Sequence, residues 1–402
     1  MHIIESGNVA AAMGVQLSRA QVIAAYPITP QTPLTEKLSE LIESGDMNAE
    51  YIPVESEHSA LAVCIAASTA GARAFTATSA NGLLYMHEQV HWAAGARLPI
   101  VMCVVNRGVG APWTIWNDHQ DAMSQRDTGW IQMYACDHQQ IIDTVIKAFR
   151  LAETVRIPVM VCYDGYLLSH TYMPFEVPDS NRVDGFLPAY EAERFLDPEN
   201  PANFNTVTLP EPRPDLQGHT MPGYMEFRAM LQDDMRRVLK TAADIEETFA
   251  AQFGRGSDPY IETYRCEDAD YIAVCLGSLA YRFRDVVDDL RQEGIPVGVA
   301  AVRLYRPFPD QAICERLGHA KQLIVFEKAV SYGYQGPLCA DVKAALYNST
   351  NDKEQRSEVS GYVLGLGGRD IKTLDLLNAL RTSCSPQSAS APLQWLGLKN
   401  QE

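Results

Sequence analysis

Several features that would assign a class at once are missing from this sequence. Its 402 residues contain no apolar run of about 18 residues, so no membrane-spanning helix is predicted. The opening Met-His-Ile-Ile-Glu-Ser lacks a basic stretch followed by a long apolar core, so we expect no signal peptide. Basic residues are scarce, since 33 stand against 50 acidic ones and the net charge is −17. That charge argues against a nucleic-acid or anionic-membrane partner.

Closely spaced cysteines are missing as well. The nine cysteines are scattered, and no Cys-x-x-Cys pair occurs. Several stand inside apolar runs, where cysteine behaves as a small buried hydrophobic residue. We therefore expect reduced thiols in a cytoplasmic protein. An iron–sulfur cluster needs grouped thiolates, so this chain is predicted to hold none.

Hydrophobic residues make up 47% of the chain, which is enough for two or three domains with real cores. In the first 170 residues, helical patterns alternate with β-branched apolar runs. Helices are predicted at 8–19, 32–44, 56–71, 82–94 and 139–155, and strands at 21–28, 51–54, 73–78, 99–105, 131–135 and 159–162. This alternation predicts an α/β fold with a parallel, doubly wound sheet that is covered on both faces.

The composition changes at Pro174. Nine of the 23 prolines fall between Pro174 and Pro222, which predicts a long, mostly irregular excursion. It is either a solvated linker or a segment packed on a neighbouring subunit. A helix is predicted over 225–253, and the α/β alternation returns from Tyr271. We divide the chain into an α/β domain at 1–172, the excursion and its helix at 173–262, a smaller α/β domain at 263–382, and a loosely held tail at 383–402.

Polar side chains stand where three predicted strands end. Thr29 follows the first apolar run, Glu57 follows the second, and Arg107 closes the strand at 99–105. Open α/β sheets bind ligands at the carboxyl ends of their strands. A hydroxyl, a carboxylate and a guanidinium are therefore predicted to converge on one small anionic ligand.

These segments resemble the α subunit of the multi-subunit 2-oxo acid oxidoreductases, the pyruvate:ferredoxin oxidoreductase family, which includes phenylglyoxylate dehydrogenase. The resemblance rests on YPITPQTP (26–33), ESEHSA (55–60), LPIVMCVVNR (98–107), NDHQD (117–121) and QRDTGW (125–130), and it resumes at 253–255, 302–309 and 365–370. It implies a thiamine-enzyme pyrimidine-binding domain followed by a smaller transketolase-C-terminal-like α/β domain.

The implied reaction is the thiamine diphosphate-dependent oxidation of a 2-oxo acid to its acyl-coenzyme A, in anaerobic metabolism. The resemblance implies electron transfer through iron–sulfur clusters of partner chains to ferredoxin, or to NAD through FAD. The Gly-Asp-Gly motif that binds diphosphate and Mg²⁺ is absent, because Tyr163-Asp164-Gly165 lacks its first glycine. We expect a thiamine-binding β subunit to hold Mg²⁺ and a ferredoxin-like subunit to complete a dimer of heteromers. The chain should be inert alone.

The resemblance assigns the catalytic role to Glu57. A carboxylate against N1′ of the aminopyrimidine stabilises the imino tautomer, whose 4′-imine removes the C2 proton of the thiazolium. The alternative role of Glu57 is that of a first-turn glutamate that complements the helix dipole. Glu55, at the strand end, is the less favoured candidate.

The remaining cofactor contacts follow from the same resemblance. They are expected at Tyr26, Pro27, Ile28 and Asn81. Relatives usually carry Ser-Gln-Gly or Gly-Pro-Gly where this chain has Ala-Asn-Gly, and this departure weakens the role of Asn81.

Thr29 and Arg107 map onto the positions that hold the 2-oxo acid. The guanidinium can bind the substrate carboxylate bidentately, and the hydroxyl adds a directed hydrogen bond. The alternatives are a helix N-cap for Thr29 and an ordinary loop salt bridge for Arg107.

The loop after Arg107 bears on substrate size. Trp113 stands where pyruvate-type relatives have a small aliphatic residue, and Gly108 and Gly110 are expected to enlarge the pocket. An aromatic acid such as phenylglyoxylate is then favoured over pyruvate, with Trp113 as a stacking surface. The alternative, which we weigh equally, is that Trp113 packs against a partner chain.

Two other functions stay open. One is a catalytically inactive scaffolding subunit of such a complex. The other is a zinc hydrolase, because His87-Glu88-Gln89-Val90-His91 matches His-Glu-x-x-His on a predicted helix. The continuation that zinc proteases share is missing.

Overall fold

The computed structural model describes residues 1–191, 208–214, 218–349, 357–384 and 393–399. The strands are β1 (His2–Ser6), β2 (Val22–Ala25), β3 (Glu50–Pro53), β4 (Ala74–Thr78), β5 (Val101–Asn106), β6 (Ile131–Tyr134), β7 (Val159–Asp164), β8 (Tyr172–Glu176), β9 (Arg213–Pro214), β10 (Thr220–Met221), β11 (Ile261–Tyr264), β12 (Tyr271–Cys275), β13 (Val297–Val302), β14 (Leu304–Arg306), β15 (Gln322–Glu327), β16 (Glu358–Leu364) and β17 (Gln394–Leu396). The helices are α1 (Gly7–Leu17), α2 (Thr32–Glu43), α3 (Glu57–Thr69), α4 (Ala80–Tyr85), α5 (His87–Gly95), α6 (Gln120–Met123), α7 (His138–Val155), α8 (Ser180–Phe186), α9 (Tyr224–Phe253), α10 (Leu279–Gln292), α11 (Asp310–Leu317), α12 (Pro337–Ser349) and α13 (Thr373–Ser383).

A seven-stranded sheet organises the first part of the chain. Its strand order is β14-β6-β7-β5-β4-β2-β3, and β2 to β7 run parallel. β5 and β7 are buried along their whole length, as continuous apolar runs predict for central parallel strands. α1 and α7 cover one face, and α3, α4 and α5 cover the other. The predicted α/β class with a doubly covered parallel sheet is confirmed.

A second, six-stranded sheet lies in the later part of the chain. Its order is β11-β13-β12-β15-β16-β17, and all but the antiparallel β11 run parallel. Two edge elements differ from expectation. β14 follows β13 in sequence yet pairs with β6 of the first sheet. It was not predicted, because a strand of three residues is too short to show an alternating pattern in the sequence. β17 lies in the tail that we expected to be loosely held, yet it pairs with β16.

The helix predicted over 82–94 is wrong as a single element. It is two helices, α4 and α5, which Met86 separates. Met86 has ψ −6° and a fully buried side chain. The chain turns there and buries this side chain in the core. Within the described ranges, every helix is too short or too polar to cross a bilayer.

The described part of the Pro-rich excursion is more regular than predicted. β8 pairs antiparallel with β1, α8 begins after the Asp179 cap, and β9 pairs with β10. Residues 192–207 and 215–217 lie outside the described ranges. The long α9 then packs along α7, where Lys147 Nζ lies 2.7 Å from Glu246 Oε2. The proposed packing of the excursion on a neighbouring subunit stays a prediction.

Candidate functional site

The residues singled out in the sequence lie at the carboxyl edge of the first sheet. Thr29 follows β2, Asn81 lies in the first turn of α4 after β4, and Arg107 follows β5 directly. Glu57 begins α3, after β3. The carboxyl ends of parallel strands lie at one edge of the sheet. Hydrogen bonds between the segments that follow these strands hold them together there.

Arg107 connects three of these segments. It is buried, and its Nη1 donates to the Thr29 carbonyl at 2.8 Å while its Nε donates to the Thr114 carbonyl at 2.7 Å. Burial lowers the pKa of the Arg107 guanidinium from its ordinary value, and Tyr166 and Asp121 partly offset this effect. Within the described ranges it forms no ion pair, so the salt-bridge alternative is not observed. A guanidinium carries five N–H donors, which leaves donors for an anionic ligand.

Thr29, in the segment before α2, is exposed to solvent. The N-cap of α2 is Gln31, without a side-chain capping bond, so the alternative role of Thr29 as N-cap is wrong. Gln31 Oε1 instead accepts from the Ile28 N–H at 3.3 Å. Tyr26 and Pro27 are exposed and Ile28 is half-buried. This edge is therefore accessible in the chain.

Glu57 and Glu55 have different surroundings. Ser56 caps α3 by accepting from the Ser59 N–H at 3.2 Å, which places Glu57 in the first turn. Glu55 is exposed and accepts from the Ser59 hydroxyl, which lowers the pKa of Glu55. Glu57 is half-buried, and its carboxylate has no hydrogen-bond or ion-pair partner in the described part of the chain.

The Glu57 carboxylate lies against Gly82 in α4. A Cβ at Gly82 would fall 2.7 Å from Glu57 Oε1 and 2.7 Å from Thr78 Oγ1. Only glycine leaves room for both oxygens. The Thr78 hydroxyl is fully buried and has no hydrogen-bond partner among the described residues. The Glu57 carboxylate and the unpartnered Thr78 hydroxyl thus both border the buried Gly82.

Asn81 is engaged elsewhere. Its Nδ2 donates to the Gly110 carbonyl at 3.0 Å, and its Oδ1 accepts from the Gly110 N–H at 2.9 Å. The side chain therefore fixes the loop that follows Arg107. Its cofactor contact stays a prediction.

Asp121 is a site residue to which sequence reasoning gave no role. Its Oδ2 accepts from the backbone N–H groups of Ala80 and Arg107, both at 3.0 Å. Its Oδ1 accepts from Asn106 Nδ2 at 2.8 Å and from the Ala122 N–H at 2.7 Å. Burial raises the pKa of Asp121 to about 6, against the opposing effect of these donors. One carboxylate therefore joins the ends of β4 and β5. Asp121 is the last residue of the NDHQD segment (117–121). That segment contributed to the family resemblance, but its residue types did not indicate what Asp121 does.

The loop after Arg107 corrects the expectation of an enlarged pocket. A Cβ at Gly108 would lie 2.6 Å from Thr114 Cγ2, and one at Gly110 would lie 2.8 Å from Trp113 Cε3. The loop's own side chains therefore occupy the space that the two glycines leave. Trp113 covers Gly110 and is 74% exposed.

A buried charge network ties this edge to the second sheet. Asp164, at the end of β7, lies 3.0 Å from Lys328 Nζ and 2.6 Å from His119 Nε2. Asn117 Nδ2 and the Ser278 hydroxyl also donate to it. Burial alone would raise the pKa of Asp164, but Lys328 and His119 hold it well below its ordinary value. Asp164 therefore serves the junction between the sheets.

The His-Glu-x-x-His pattern does not form a metal site. The His87 Nδ1 lies 2.7 Å from Gln125 Oε1, and the rings of His87 and His91 meet edge to face at 4.9 Å. Glu88 extends into solvent. No group of three His, Cys, Asp or Glu side chains in the described ranges is arranged to bind a metal ion. The zinc hydrolase alternative has no support in this geometry.

Comparison with known proteins matches the chain to two family models. Residues 13–235 match pyruvate flavodoxin/ferredoxin oxidoreductase, thiamine diphosphate-binding, and residues 269–376 match pyruvate:ferredoxin oxidoreductase core domain II. The chain is 41% identical to pyruvate synthase subunit PorA of Methanocaldococcus jannaschii, over 98% of this chain and 97% of that protein. It is 44% identical to ketoisovalerate oxidoreductase subunit VorA of Pyrococcus abyssi, over 93% of this chain and 91% of that protein.

Two solved structures share the fold. The first is 2-oxoglutarate:ferredoxin oxidoreductase from Magnetococcus marinus with 2-oxoglutarate, coenzyme A and succinyl-CoA bound, with a TM-score of 0.68 and 20% identity. It covers 96% of this chain, which spans 65% of that one. The second is a split-gene transketolase in an inactive beta4 tetramer, with a TM-score of 0.53, 13% identity and coverage of 94% and 96%.

Proposed function

This chain belongs to the pyruvate:ferredoxin oxidoreductase family as an α subunit, and we propose that it carries the catalytic glutamate and the substrate-binding arginine of a 2-oxo acid oxidoreductase. In the assembled complex the 2-oxo acid is decarboxylated and its acyl group is transferred to coenzyme A. Electrons pass through iron–sulfur partner chains to ferredoxin, or to NAD through FAD. The observation that carries this proposal is the unpaired Glu57 carboxylate at the same sheet edge as Arg107.

The half-buried, unpaired Glu57 carboxylate at the strand-end edge fits the aminopyrimidine of thiamine diphosphate. Bound there, the cofactor supplies the carbon nucleophile and the electron sink that decarboxylation requires. Glu57 exchanges a proton with N1′ of its aminopyrimidine, and no neighbouring side chain in the described ranges competes for the Glu57 carboxylate. Tyr26, Pro27 and Ile28 form the exposed rim of the same edge.

Arg107 and Thr29 bind the 2-oxo acid. The guanidinium is fixed by two backbone carbonyls, so its remaining donors are pre-oriented for a carboxylate. The Thr29 hydroxyl is exposed at the same edge and adds a directed hydrogen bond.

A partner chain completes the cofactor site. The one sequence segment that approaches the metal motif is Tyr163-Asp164-Gly165, and Lys328 and His119 already occupy its carboxylate. Mg²⁺ and the diphosphate then belong to a thiamine-binding β subunit. The 74% exposed Trp113 is available for contact with such a partner.

The substrate we propose is a small or branched aliphatic 2-oxo acid. The relatives are named for pyruvate and ketoisovalerate, and the space left by Gly108 and Gly110 is filled by the loop itself. The aromatic alternative relies on Trp113 as a stacking surface. Comparing kcat/KM for pyruvate, ketoisovalerate and phenylglyoxylate on the purified complex decides this, and a preference for phenylglyoxylate would overturn the aliphatic proposal.

Glu57→Gln in the assembled complex tests the catalytic role. Gln keeps the shape but cannot exchange the proton, so deuterium exchange at C2 of the bound cofactor should slow by about 10²- to 10⁴-fold. Glu55→Gln is the matched control, because Glu55 is two residues away and exposed; it should exchange normally. Normal exchange in Glu57→Gln would refute the assignment and favour the scaffolding alternative.

A further inference from the structure

Thr78 ends β4 with a side chain that faces the catalytic glutamate's helix. Phe75 and Ala77 pack in the core on the α1 and α7 face, so Thr76 and Thr78 point to the face that α3 and α4 cover. Both threonines are fully buried, and within the described ranges neither hydroxyl has a hydrogen-bond partner. A buried polar group without a partner is unusual in a folded protein, and it calls for an explanation.

Gly82 shows what the Thr78 hydroxyl faces. The Cβ position of Gly82 lies 2.7 Å from Thr78 Oγ1 and 2.7 Å from Glu57 Oε1. The hydroxyl and the carboxylate therefore border the same small space. The hydroxyl can donate and the carboxylate can accept a hydrogen bond. Among the described residues the buried Thr78 hydroxyl has no partner, and the half-buried Glu57 carboxylate forms no hydrogen bond or ion pair.

We propose that Thr78 is a positioning residue for Glu57, with its hydroxyl donating a hydrogen bond to the Glu57 carboxylate in the cofactor-loaded complex. This inference rests on the proposed cofactor role of Glu57. A glutamate side chain rotates about three bonds, so a fixed donor at the strand end limits its orientations. Hydrogen bonds to charged acceptors are stronger than those between neutral groups, so one such contact can hold the carboxylate.

Thr78→Val and Thr78→Ser separate the hydroxyl from the shape of the side chain. Val keeps the shape and loses the hydroxyl, whereas Ser keeps the hydroxyl and loses a methyl group. In the assembled complex, Thr78→Val should slow C2 deuterium exchange by about tenfold or more. Thr78→Ser should restore exchange to within about threefold of the wild-type rate. If Thr78 only fills space, the order is reversed, because Ser leaves a cavity and Val does not.

Thermal stability and cofactor affinity test the same inference without measuring a reaction rate. The Thr78 hydroxyl has no partner in the described part of the chain, so Thr78→Val should leave the Tm of the isolated full chain unchanged or raise it. Calorimetric titration of the assembled complex with thiamine diphosphate and Mg²⁺ should show weaker binding for Thr78→Val than for Thr78→Ser. Equal affinities together with equal exchange rates would overturn the inference.

Thr76→Val is the matched control. Thr76 has the same burial and, among the described residues, an equally unpartnered hydroxyl on the same face. The atoms nearest to the Cβ position of Gly82 belong to Glu57 and Thr78 instead. Thr76→Val should show C2 deuterium exchange at the wild-type rate. Equal slowing in Thr76→Val and Thr78→Val would indicate a general packing effect and would overturn the inference. Slowing in Glu57→Gln with normal exchange in Thr78→Val refutes only the role of Thr78. Normal exchange in Glu57→Gln refutes the proposed function itself.

Discussion

Replacing Gly82 by alanine perturbs the site at its tightest point. The added Cβ falls 2.7 Å from both Glu57 Oε1 and Thr78 Oγ1, and 2.8 Å from Glu57 Cγ. Ordinary van der Waals contact begins at 3.4 Å, so the carboxylate must retreat or α4 must shift. Gly82 lies in a helix, where the same substitution by itself favours folding.

The magnitude follows from two opposing effects. Overpacking of this kind destabilises a protein by about 1–3 kcal/mol, whereas Gly→Ala within a helix contributes about 1 kcal/mol of stabilisation. The free energy of unfolding should therefore fall by at most about 2 kcal/mol. The catalytic effect is larger, because displacing a reacting group by about 1 Å lowers a rate by about 10²-fold. We expect C2 deuterium exchange in the assembled complex to slow by about that factor while the chain remains folded.

Gly95→Ala is the matched control for Gly82→Ala. Gly95 also lies in a helix, α5, and a Cβ there meets only Arg228 Nη1, at 3.9 Å. This variant should keep normal exchange and a Tm at or slightly above that of the wild type. Thermal denaturation and C2 exchange are measured on all three proteins. Wild-type exchange in Gly82→Ala would show that the Glu57 carboxylate does not depend on this space, and the reasoning would fail.

Three further predictions concern the substrate, the pH response and the missing half-site. Arg107→Lys keeps the charge but loses the planar guanidinium, so KM for the 2-oxo acid should rise by about 10- to 100-fold while the rate of C2 exchange stays normal. A fall in the C2 exchange rate by the same factor would contradict a substrate role. Burial raises the pKa of Asp121 to about 6, so its contribution to stability is present below about pH 4 and is lost as the pH rises through 6. Asp121→Asn should remove this fall from the free energy of unfolding measured by denaturant titration between pH 4 and 7, and an unchanged profile would contradict it. The isolated chain should bind thiamine diphosphate weakly and contain no stoichiometric iron or zinc, as calorimetry and metal analysis can test; tight Mg²⁺-dependent binding would refute the half-site.

The architecture of the first sheet was predictable because its central strands are buried along their whole length. Val101–Asn106 and Val159–Asp164 are apolar except for their last residues and stand between amphipathic helices, and this pattern predicts parallel strands. β14 was not predicted because three residues are too few to show the alternation of apolar and polar residues that marks a strand. The break at Met86 was equally invisible, since a buried methionine also fits a continuous helix.

The site was predictable only in part, because a sequence pattern gives residue types and not their partners. Family resemblance indicated Glu57 and Arg107, and the structure places both at one sheet edge. It gave no reason to expect that Asn81 would bind Gly110, or that Thr114 and Trp113 would fill the space beside Gly108 and Gly110. Side-chain packing within a loop is set by the fold.

The two sheets depend on each other through buried charge. Asp164 and Lys328 are nearly inaccessible to solvent, and removing either partner would leave an uncompensated charge in the interior. The Asp118 carboxylate, which follows the loop after Arg107, accepts from the Gly367 N–H at 3.0 Å, and that glycine follows the last residue of β16 by three positions. The loop that fixes Arg107 is thus held from the second sheet as well as from the first. An isolated first domain would expose both contacts to water, so the geometry of Arg107 depends on the whole chain.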